Sequence, residues 1–180
     1  MMNPKLFKVL SFIWEMVKVV AVSLLIVLPI RYFLVQPFYV KGSSMEPNFH
    51  DYEYLIIDEI SYRFNEPQHG QVVVMRDPLE KSKYFIKRII GIPGDTILIK
   101  DGQVSRNGEA LNETAYLSPS VETTGPIAVL DITLGDNEYY VMGDNRAASF
   151  DSRRFGPIDR SALIGRVWVR AWPVTKFTTY

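Results

Sequence analysis

The sequence predicts a mainly β fold of several antiparallel sheets, preceded by one apolar helix at the N-terminus. Two observations lead to this prediction. An apolar segment occupies the chain up to about residue 35, and short runs rich in β-branched and aromatic residues, separated by turn residues, occupy most of the remainder. All eleven glycines lie at or after Gly42, so the residues that favour turns begin where the apolar segment ends.

The composition excludes several kinds of site and partner. The chain has no cysteine, which rules out disulfides, thiolate nucleophiles and zinc–thiolate sites, and two histidines are too few for a three-histidine metal site. We therefore expect no metal and no other cofactor. The 20 basic residues balance the 20 acidic ones, whereas a protein that binds nucleic acid normally carries a basic excess, so no nucleic-acid partner is expected.

The zero net charge is the sum of two opposed regions. Residues 1–35 contain four basic side chains and one acidic side chain, a net charge of +3, and residues 36–180 carry the compensating −3. Sixteen of the twenty residues from Met16 to Val35 are apolar, and Val19–Ile30 has no charge. This uncharged run is shorter than the about 20 residues that a helix needs to cross a membrane, but Lys18 and Arg31 at its ends can extend to the interface.

An uncleaved single-pass membrane anchor is the interpretation that we favour for this segment. A buried core helix would show a polar stripe, and a cleaved leader would need small residues after the apolar run, where Arg31–Pro37 are bulky. The lysines that precede the span place the N-terminus in the cytoplasm by the positive-inside rule. We expect residues 1–35 to form a cytoplasmic N-terminus and anchor in the cell membrane, and residues 36–180 to form an extracytoplasmic β-domain.

Within the second region, alternating and β-branched runs predict the strands in chain order. Asp101-Gly102 and Asn107-Gly108 are hairpin signals that predict a meander over Thr96–Leu111. Glu109–Asn137 is more polar and contains two prolines, so we expect a hairpin or an insertion there. The predicted strands are Tyr54–Asp58, Val72–Met75, Tyr84–Gly91, Thr96–Lys100, Tyr139–Met142 and Gly165–Trp172.

Three segments of this region concentrate groups that are able to do chemistry. Gly42–Pro47 contains two adjacent serines before a proline. On a strand, Lys87 shares a face with Phe85 and Ile89, where an apolar environment would favour the neutral amine. Gly143–Arg153 follows an apolar strand and gathers polar side chains. Taken singly, each segment also suits an ordinary loop or strand.

Taken together and in this order, the three segments resemble the sequence boxes of type I signal peptidases. The late run Gly165-Arg166-Val167 with Trp172-Pro173 is similar to the closing strand of that family, and Glu109–Asn137 is the least diagnostic part. The matching boxes are Ser44-Met45-x-Pro47, Lys87-Arg88-x-x-Gly91-x-Pro93-Gly94-Asp95 and Gly143-Asp144-Asn145-Arg146-x-x-Ser149-x-Asp151-Ser152-Arg153.

The resemblance implies the family's β fold and a membrane-bound serine endopeptidase that removes signal peptides from exported preproteins after small-x-small sites, typically Ala-x-Ala. It implies that Ser44 is the nucleophile of an acyl-enzyme mechanism, that Lys87 is the general base, and that Ser149 hydrogen-bonds and orients this lysine. Residues implied to brace the site are Asp144, Asn145, Asp151 and Arg153. Residues implied to form shallow apolar substrate pockets are Phe38, Val40, Met45, Phe49, Phe85 and Ile86.

One position departs from part of the family. Some members place a serine two residues before the nucleophile, and its hydroxyl completes the oxyanion hole, whereas this chain has Gly42 there. The Ser44 N–H remains as one donor, and the second donor stays unassigned between Ser43 and a water molecule. The implied partners are signal peptides of exported preproteins and the lipid bilayer, and we expect a monomer.

Other functions remain open from the residues. His50 or His69 would serve a Ser-His-Asp triad if the fold brought either one to a serine. A LexA-like self-cleaving repressor uses the same Ser/Lys chemistry, although this chain has a membrane span in place of a DNA-binding domain. A catalytically lapsed, membrane-tethered β-domain that binds peptides and a mitochondrial-type inner-membrane peptidase are the remaining alternatives.

Overall fold

The computed structural model describes residues 4–29, 36–126 and 129–180. The chain divides into two compact units, Met1–Gln36 and Pro37–Tyr180. In the first unit, helix α1 extends over Pro4–Pro29, and its residues Lys8–Leu28 are long and apolar enough to cross a membrane.

The helix lies further toward the N-terminus than the predicted anchor. It continues through Glu15 and Lys18, which fall inside the candidate span, so the described helix has the length that the uncharged run alone lacks. The predicted outer flank at Arg31 lies outside the described residues.

The second unit is built from two antiparallel sheets, which confirms the predicted mainly β class. The larger sheet has the strand order β1-β2-β11-β3-β4-β9-β10, with β12 paired to β11, and the smaller has the order β7-β6-β5-β8. Two one-turn helices, α2 (Ser61–Phe64) and α3 (Ser152–Phe155), lie between strands. The strands are β1 Gln36–Tyr39, β2 Tyr54–Asp58, β3 Val72–Arg76, β4 Tyr84–Gly91, β5 Thr96–Lys100, β6 Gln103–Arg106, β7 Glu109–Ala110, β8 Val129–Thr133, β9 Glu138–Met142, β10 Ile158–Asp159, β11 Leu163–Trp172 and β12 Thr178–Thr179.

All six predicted strands form, with ends that differ from the prediction by two residues or fewer. The predicted meander forms as β5, β6 and β7 because both of its turns have the required backbone. Asp101 and Gly102 have φ values of 51° and 79°, and Asn107 and Gly108 have 54° and 84°. Two consecutive positive φ values are the geometry of a type I′ turn, which matches the twist of the flanking strands.

Two strands of the smaller sheet lie within residues 109–137. β7 pairs with β6, and β8 pairs with the other edge of β5, with Ile97 opposite Ile132. After β7, residues 111–126 form a long loop. This loop packs against the polar segment Gly143–Arg153, as the site described below shows.

The core of the larger sheet fixes the turn that carries Ser44. Met45 is 1% exposed and Phe49 is fully buried, and both pack with Leu55 and Ile57 of β2. Burial of a large apolar side chain stabilises a fold by roughly 1.5–3 kcal/mol, so these two residues hold the turn against the sheet.

Candidate active site

The turn after β1 and the middle of β4 bring Ser44 and Lys87 into contact, although the two residues are 43 positions apart in the chain. Lys87 Nζ donates a hydrogen bond to Ser44 Oγ at 2.8 Å and another to the carbonyl oxygen of Ile86 at 2.9 Å. A hydroxyl in hydrogen-bond contact with an amine that can take its proton is the arrangement of an activated nucleophile.

The environment of Lys87 favours the neutral amine. The side chain is 3% exposed, and its Nζ lies 5.2 Å from the centre of the Phe85 ring. Burial lowers the pKa of Lys87 to about 8, while the negative charges of Asp151 and Asp144 act in the opposite direction. In the described part of the chain, Lys87 forms no ion pair with either carboxylate, because each is bound by an arginine.

Asp144 is paired with Arg88, the residue next to the lysine on β4. Arg88 Nε and Nη2 donate to the two carboxylate oxygens at 2.8 and 2.6 Å, and Nη1 donates to the carbonyl oxygen of Gly70 at 2.7 Å. The Asn48 side chain adds a hydrogen bond to Asp144 at 2.9 Å. Asp144 therefore connects β4 to the turn that carries Ser44, as a bracing role requires.

Asp151 is paired with Arg153 in the same bidentate way. Arg153 Nε and Nη2 donate to its carboxylate at 2.9 and 2.7 Å, and the backbone N–H of Gly143 donates at 3.0 Å. Burial alone would raise the pKa of the Asp151 carboxyl, but the Arg153 guanidinium and these hydrogen bonds hold it below its usual range. Arg153 also donates to the carbonyl oxygen of Thr124 at 2.6 Å.

Asn145 ties the polar segment directly to the nucleophile turn. Its backbone N–H donates to the carbonyl oxygen of Ser44 at 3.0 Å, and its side-chain amide donates to the carbonyl oxygen of Ser43 at 3.1 Å. These two bonds hold the backbone of the turn at Ser43 and Ser44. Of the four residues that the resemblance implies to brace the site, Asn145 contacts the Ser44 backbone directly.

Ser149 lies beside the dyad without the hydrogen bond to Lys87 that the resemblance implies. Its hydroxyl is buried, and its interaction with the Asp151 carboxylate helps to lower the pKa of that carboxyl. The lysine donates to Ser44 and Ile86 instead. Ser149 packs against Gly143, where an added Cβ would lie 2.3 Å from the serine oxygen and 2.4 Å from the Ser44 carbonyl oxygen.

An apolar cleft of about 100 Å³ opens next to Ser44 and Lys87. Met45 and Phe49, which the resemblance placed in substrate pockets, lie in the core beneath this cleft because their side chains point away from it into the sheet. Phe38, Val40, Phe85 and Ile86 do line the cleft. Further lining residues that the sequence analysis missed are Tyr39, Lys41, Leu55, Val74 and Tyr84.

The backbone around Gly42 bears on the oxyanion site. Gly42 has a φ of 98°, which favours glycine, and its N–H donates to the Asp51 carboxylate at 2.9 Å. The Ser44 N–H has no hydrogen-bond acceptor in the part of the chain that the structure describes, so it is available to a bound oxyanion.

The long loop after β7 is bound to the polar segment by arginines, a connection that the sequence analysis did not predict. Arg146 is 3% exposed, forms an ion pair with Glu113 and donates to the Thr123 hydroxyl. Its Nε donates to the carbonyl oxygen of Gly143 at 3.1 Å. The polar composition of the loop indicated an exposed segment, so the buried contact of Arg146 with Glu113 was not predicted.

The histidines do not form a triad with Ser44 in the described residues. His50 Nδ1 lies 3.9 Å from Glu46, and His69 Nε2 lies 3.3 Å from Asp95. Nor does any group of three or more His, Asp or Glu residues within the described ranges provide a site for a metal ion.

A family model and the sequences of known relatives agree on one family. A family model described as "Signal peptidase, peptidase S26" matches residues 13–172. A probable signal peptidase I-2 from Synechocystis sp. is 38% identical over 167 residues, which cover 90% of this chain and 74% of that protein. A signal peptidase I from Bacillus licheniformis is 36% identical over 162 residues, 85% of each chain. The crystal structure of a signal peptidase I from Enterococcus faecalis V583 matches with a TM-score of 0.48 and 26% identity, over 57% of this chain and 97% of that one.

Proposed function

This chain belongs to the peptidase S26 family of signal peptidases, and we propose that it removes signal peptides from exported preproteins with Ser44 as nucleophile and Lys87 as general base. The observation that supports this mechanism most directly is the 2.8 Å contact between Lys87 Nζ and Ser44 Oγ in a site where burial lowers the pKa of the lysine to about 8.

Acylation follows from this contact. When Lys87 is neutral, its lone pair takes the proton of Ser44 as Oγ attacks the carbonyl carbon of the scissile bond. The tetrahedral intermediate collapses, the C–N bond breaks, and the lysine ammonium returns the proton to the leaving amine. The signal peptide is then held as an ester on Ser44.

Deacylation uses the same base. Neutral Lys87 takes a proton from a water molecule as the water oxygen attacks the ester carbon. The bond between this carbon and Ser44 Oγ then breaks, the lysine ammonium returns the proton to Oγ, and the signal peptide leaves with a new carboxyl group, which ionises. In both steps the negative oxygen of the intermediate is stabilised by the Ser44 N–H. A donor of this kind typically contributes 10²–10³ in rate.

The shape of the cleft suits small side chains next to the scissile bond. Its volume of about 100 Å³ and its aromatic walls favour alanine by excluding larger groups. Residues Tyr84–Ile86 pair with β3, but the described pairing of β9 with β4 begins only at Arg88. This free edge suits an extended peptide that adds as a strand beside Lys87.

We further propose that α1 anchors the protein in the cell membrane with its N-terminus in the cytoplasm and its catalytic unit outside, where it acts as a monomer. The apolar segment Lys8–Leu28 is long enough to span the membrane. Protease accessibility of the N-terminus and of residues 37–180 in intact and opened vesicles tests this orientation. Digestion of the catalytic unit from the cytoplasmic side would contradict it.

Preprotein cleavage by the detergent-solubilised full chain tests the activity. Wild type should release the mature protein, and Ser44→Ala and Lys87→Met should each lower the rate by about 10³-fold or more. Lys83→Met is the matched control, because Lys83 precedes the same strand, is exposed and pairs with Glu80. Binding of the preprotein without cleavage by wild type would indicate the lapsed peptide-binding domain instead.

A further inference from the structure

A second groove, of about 480 Å³, shares no lining residue with the apolar cleft. Its lining includes Glu46 and Pro47, which follow Ser44 in the chain, and residues of the loop Leu117–Glu122. Asn145, which binds the carbonyl oxygens of Ser43 and Ser44, lines it as well. The groove therefore borders the turn that carries Ser44.

The exposed charges of this groove are acidic. Asp144 and Arg146 also line it, but both are buried and paired, with Arg88 and Glu113 respectively. In the described part of the chain, Glu122 forms no ion pair, and Glu46 has only the His50 ring at 3.9 Å. Two accessible carboxylates, those of Glu46 and Glu122, thus line the groove together with apolar side chains such as Leu117 and Val121.

An extended substrate has residues on both sides of the bond that Ser44 attacks, and the apolar cleft and the groove are candidates to bind one side each. The small apolar cleft contains Ser44 and Lys87 and suits the side chains that precede the scissile bond. The peptide that follows the bond must leave the nucleophile in the opposite direction, and an extended chain advances about 3.3 Å per residue. The larger groove borders the turn that carries Ser44, so a chain that leaves the nucleophile on this side enters it.

We infer that this groove holds the first residues of the mature chain, those just after the scissile bond, and that Glu46 and Glu122 favour a cationic side chain there. The inference rests on the proposed function and adds a specificity on the leaving side of the bond. Charge complementarity at an exposed rim gives a modest, salt-sensitive preference.

Three substrates with the same Ala-x-Ala signal segment test the inference with the full-length enzyme in detergent. Two continue after the bond with four residues that contain either two lysines or two glutamates, and the third ends in a nitroanilide leaving group. Wild type should cleave the lysine peptide with a kcat/KM about three- to tenfold above that of the glutamate peptide. The ratio should approach one as the ionic strength is raised to 1 M.

Charge reversal locates the source of the preference. Glu46→Lys/Glu122→Lys should invert it, and Glu122→Lys alone, which lies far from the nucleophile in the sequence, should move it part of the way. Glu109→Lys/Asp131→Lys makes the same change in net charge on exposed residues of the smaller sheet and should leave the preference unchanged. Glu122→Lys and the control variant should cleave the nitroanilide, which has no residue after the bond to enter the groove, at the wild-type rate.

The outcomes separate the two proposals. If wild type cleaves the lysine and glutamate peptides equally and cleaves the nitroanilide normally, the inference about the groove is wrong. The proposed peptidase function is then still supported. A preference that changes equally in the control variant also overturns the inference about the groove. Loss of nitroanilide cleavage in Glu122→Lys shows that the loop only supports the dyad. Failure of wild type to cleave any substrate overturns the proposed function, and the groove with it.

Discussion

Two neighbouring residues of β4 show how differently this protein treats two buried cations. Lys87 faces Ser44 with no carboxylate in ion-pair contact within the described chain, whereas Arg88 on the opposite face makes a bidentate pair with Asp144. Both side chains are at least 90% buried. A buried charge without a partner tends to lose its proton, while a paired one keeps it. One strand therefore presents an amine that favours its neutral form on one face and a paired guanidinium on the other.

The arginines near the dyad have an electrostatic consequence as well as a structural one. Asp151 and Asp144 are the carboxylates that raise the pKa of Lys87, and Arg153 acts against them. Because Arg153 and Arg88 bind these two carboxylates, their negative charge is largely compensated where it would otherwise hold the lysine protonated. The two arginine–aspartate pairs therefore favour the neutral form of Lys87, which the proposed mechanism requires.

The largest expected effect comes from making the lysine a permanent cation. Lys87→Arg keeps the charge and removes the ability to accept a proton, since a guanidinium does not titrate below pH 12. We expect kcat/KM for a preprotein to fall by about 10³-fold or more at every pH from 6 to 10. Lys83→Arg, an exposed change beside the same strand, should retain full activity. Substantial cleavage by Lys87→Arg would mean that the lysine is not the base.

Removal of a paired cation should affect stability and pH dependence together. Arg153→Gln leaves the buried Asp151 carboxylate without its partner, at an expected cost of about 3–5 kcal/mol in the free energy of unfolding. The uncompensated carboxylate should also raise the pKa of Lys87, so the acidic limb of the activity profile should move to higher pH. Urea unfolding and a kcat/KM profile measure the two effects.

The exposed neighbour Arg154 provides the matched control for this prediction. Arg154→Gln removes the same charge one residue away and should change neither the stability nor the profile appreciably. The double variant Asp151→Asn/Arg153→Gln removes both charges and should return the limb toward its wild-type position. If the acidic limb of the kcat/KM profile does not move in Arg153→Gln, the charge of Asp151 does not control the pKa of Lys87 in this way.

The pH profile of the wild-type enzyme tests the lowered pKa of Lys87 by itself. With the pKa of Lys87 at about 8, the neutral fraction falls about tenfold per pH unit below that value. We expect kcat/KM to rise between pH 6 and pH 8 by about 50- to 100-fold and then to level off. Activity that stays on its plateau down to about pH 5 would contradict a neutral-lysine base.

The smallest expected effect is a gain in stability when the unpaired amine is removed. The folded-state pKa of Lys87 is lowered from 10.5 to about 8, so below pH 8 the folded protein holds a buried charge that the unfolded chain exposes to water. Lys87→Met should therefore raise the free energy of unfolding at pH 6 by about 1–3 kcal/mol, with the lost bond to Ser44 reducing the gain.

Replacement of a lysine that has a partner usually destabilises a protein, whereas replacement of Lys87 should stabilise this one. The pH dependence of the gain shows whether the buried charge causes it. Between pH 8 and 10.5 the unfolded chain binds more protons than the folded one, so wild-type stability rises with pH and the advantage of Lys87→Met shrinks. Thermal unfolding at pH 6, 8 and 10 measures it, with Lys83→Met as the exposed control. An advantage that is constant with pH would show that packing, not the buried charge, is its source.

Local patterns were sufficient to predict much of the fold. The six predicted strands and the two hairpin turns depend on alternation, β-branched residues and the Asp-Gly and Asn-Gly pairs, all of which act between near neighbours. The pairing of β8 with β5 could not be predicted in this way, because about thirty residues separate the two strands and no local signal specifies the partner.

The features of the site also differ in whether the sequence could predict them. Lys87 beside Ser44 was predicted from the resemblance of the three segments, and the strand pattern placed the lysine on an apolar face. The interior position of Met45 and Phe49 and the pairing of Arg146 with Glu113 were not predicted, nor was a Lys87 that donates to Ser44 and Ile86 without a bond to Ser149 in the described residues. Each of these depends on which surfaces meet when distant segments pack.

By itself, the sequence determined an apolar helix, a mainly β unit with its main strands in order, and the identity of a serine and a lysine suited to acyl transfer. Only the tertiary structure decided which cation is paired and which is not. Ion pairing and desolvation depend on distances between segments that fold together, as Lys87 and Arg88 show. Their strand could place them on opposite faces, but only their distant partners, Ser44 and Asp144, gave those faces different chemistry.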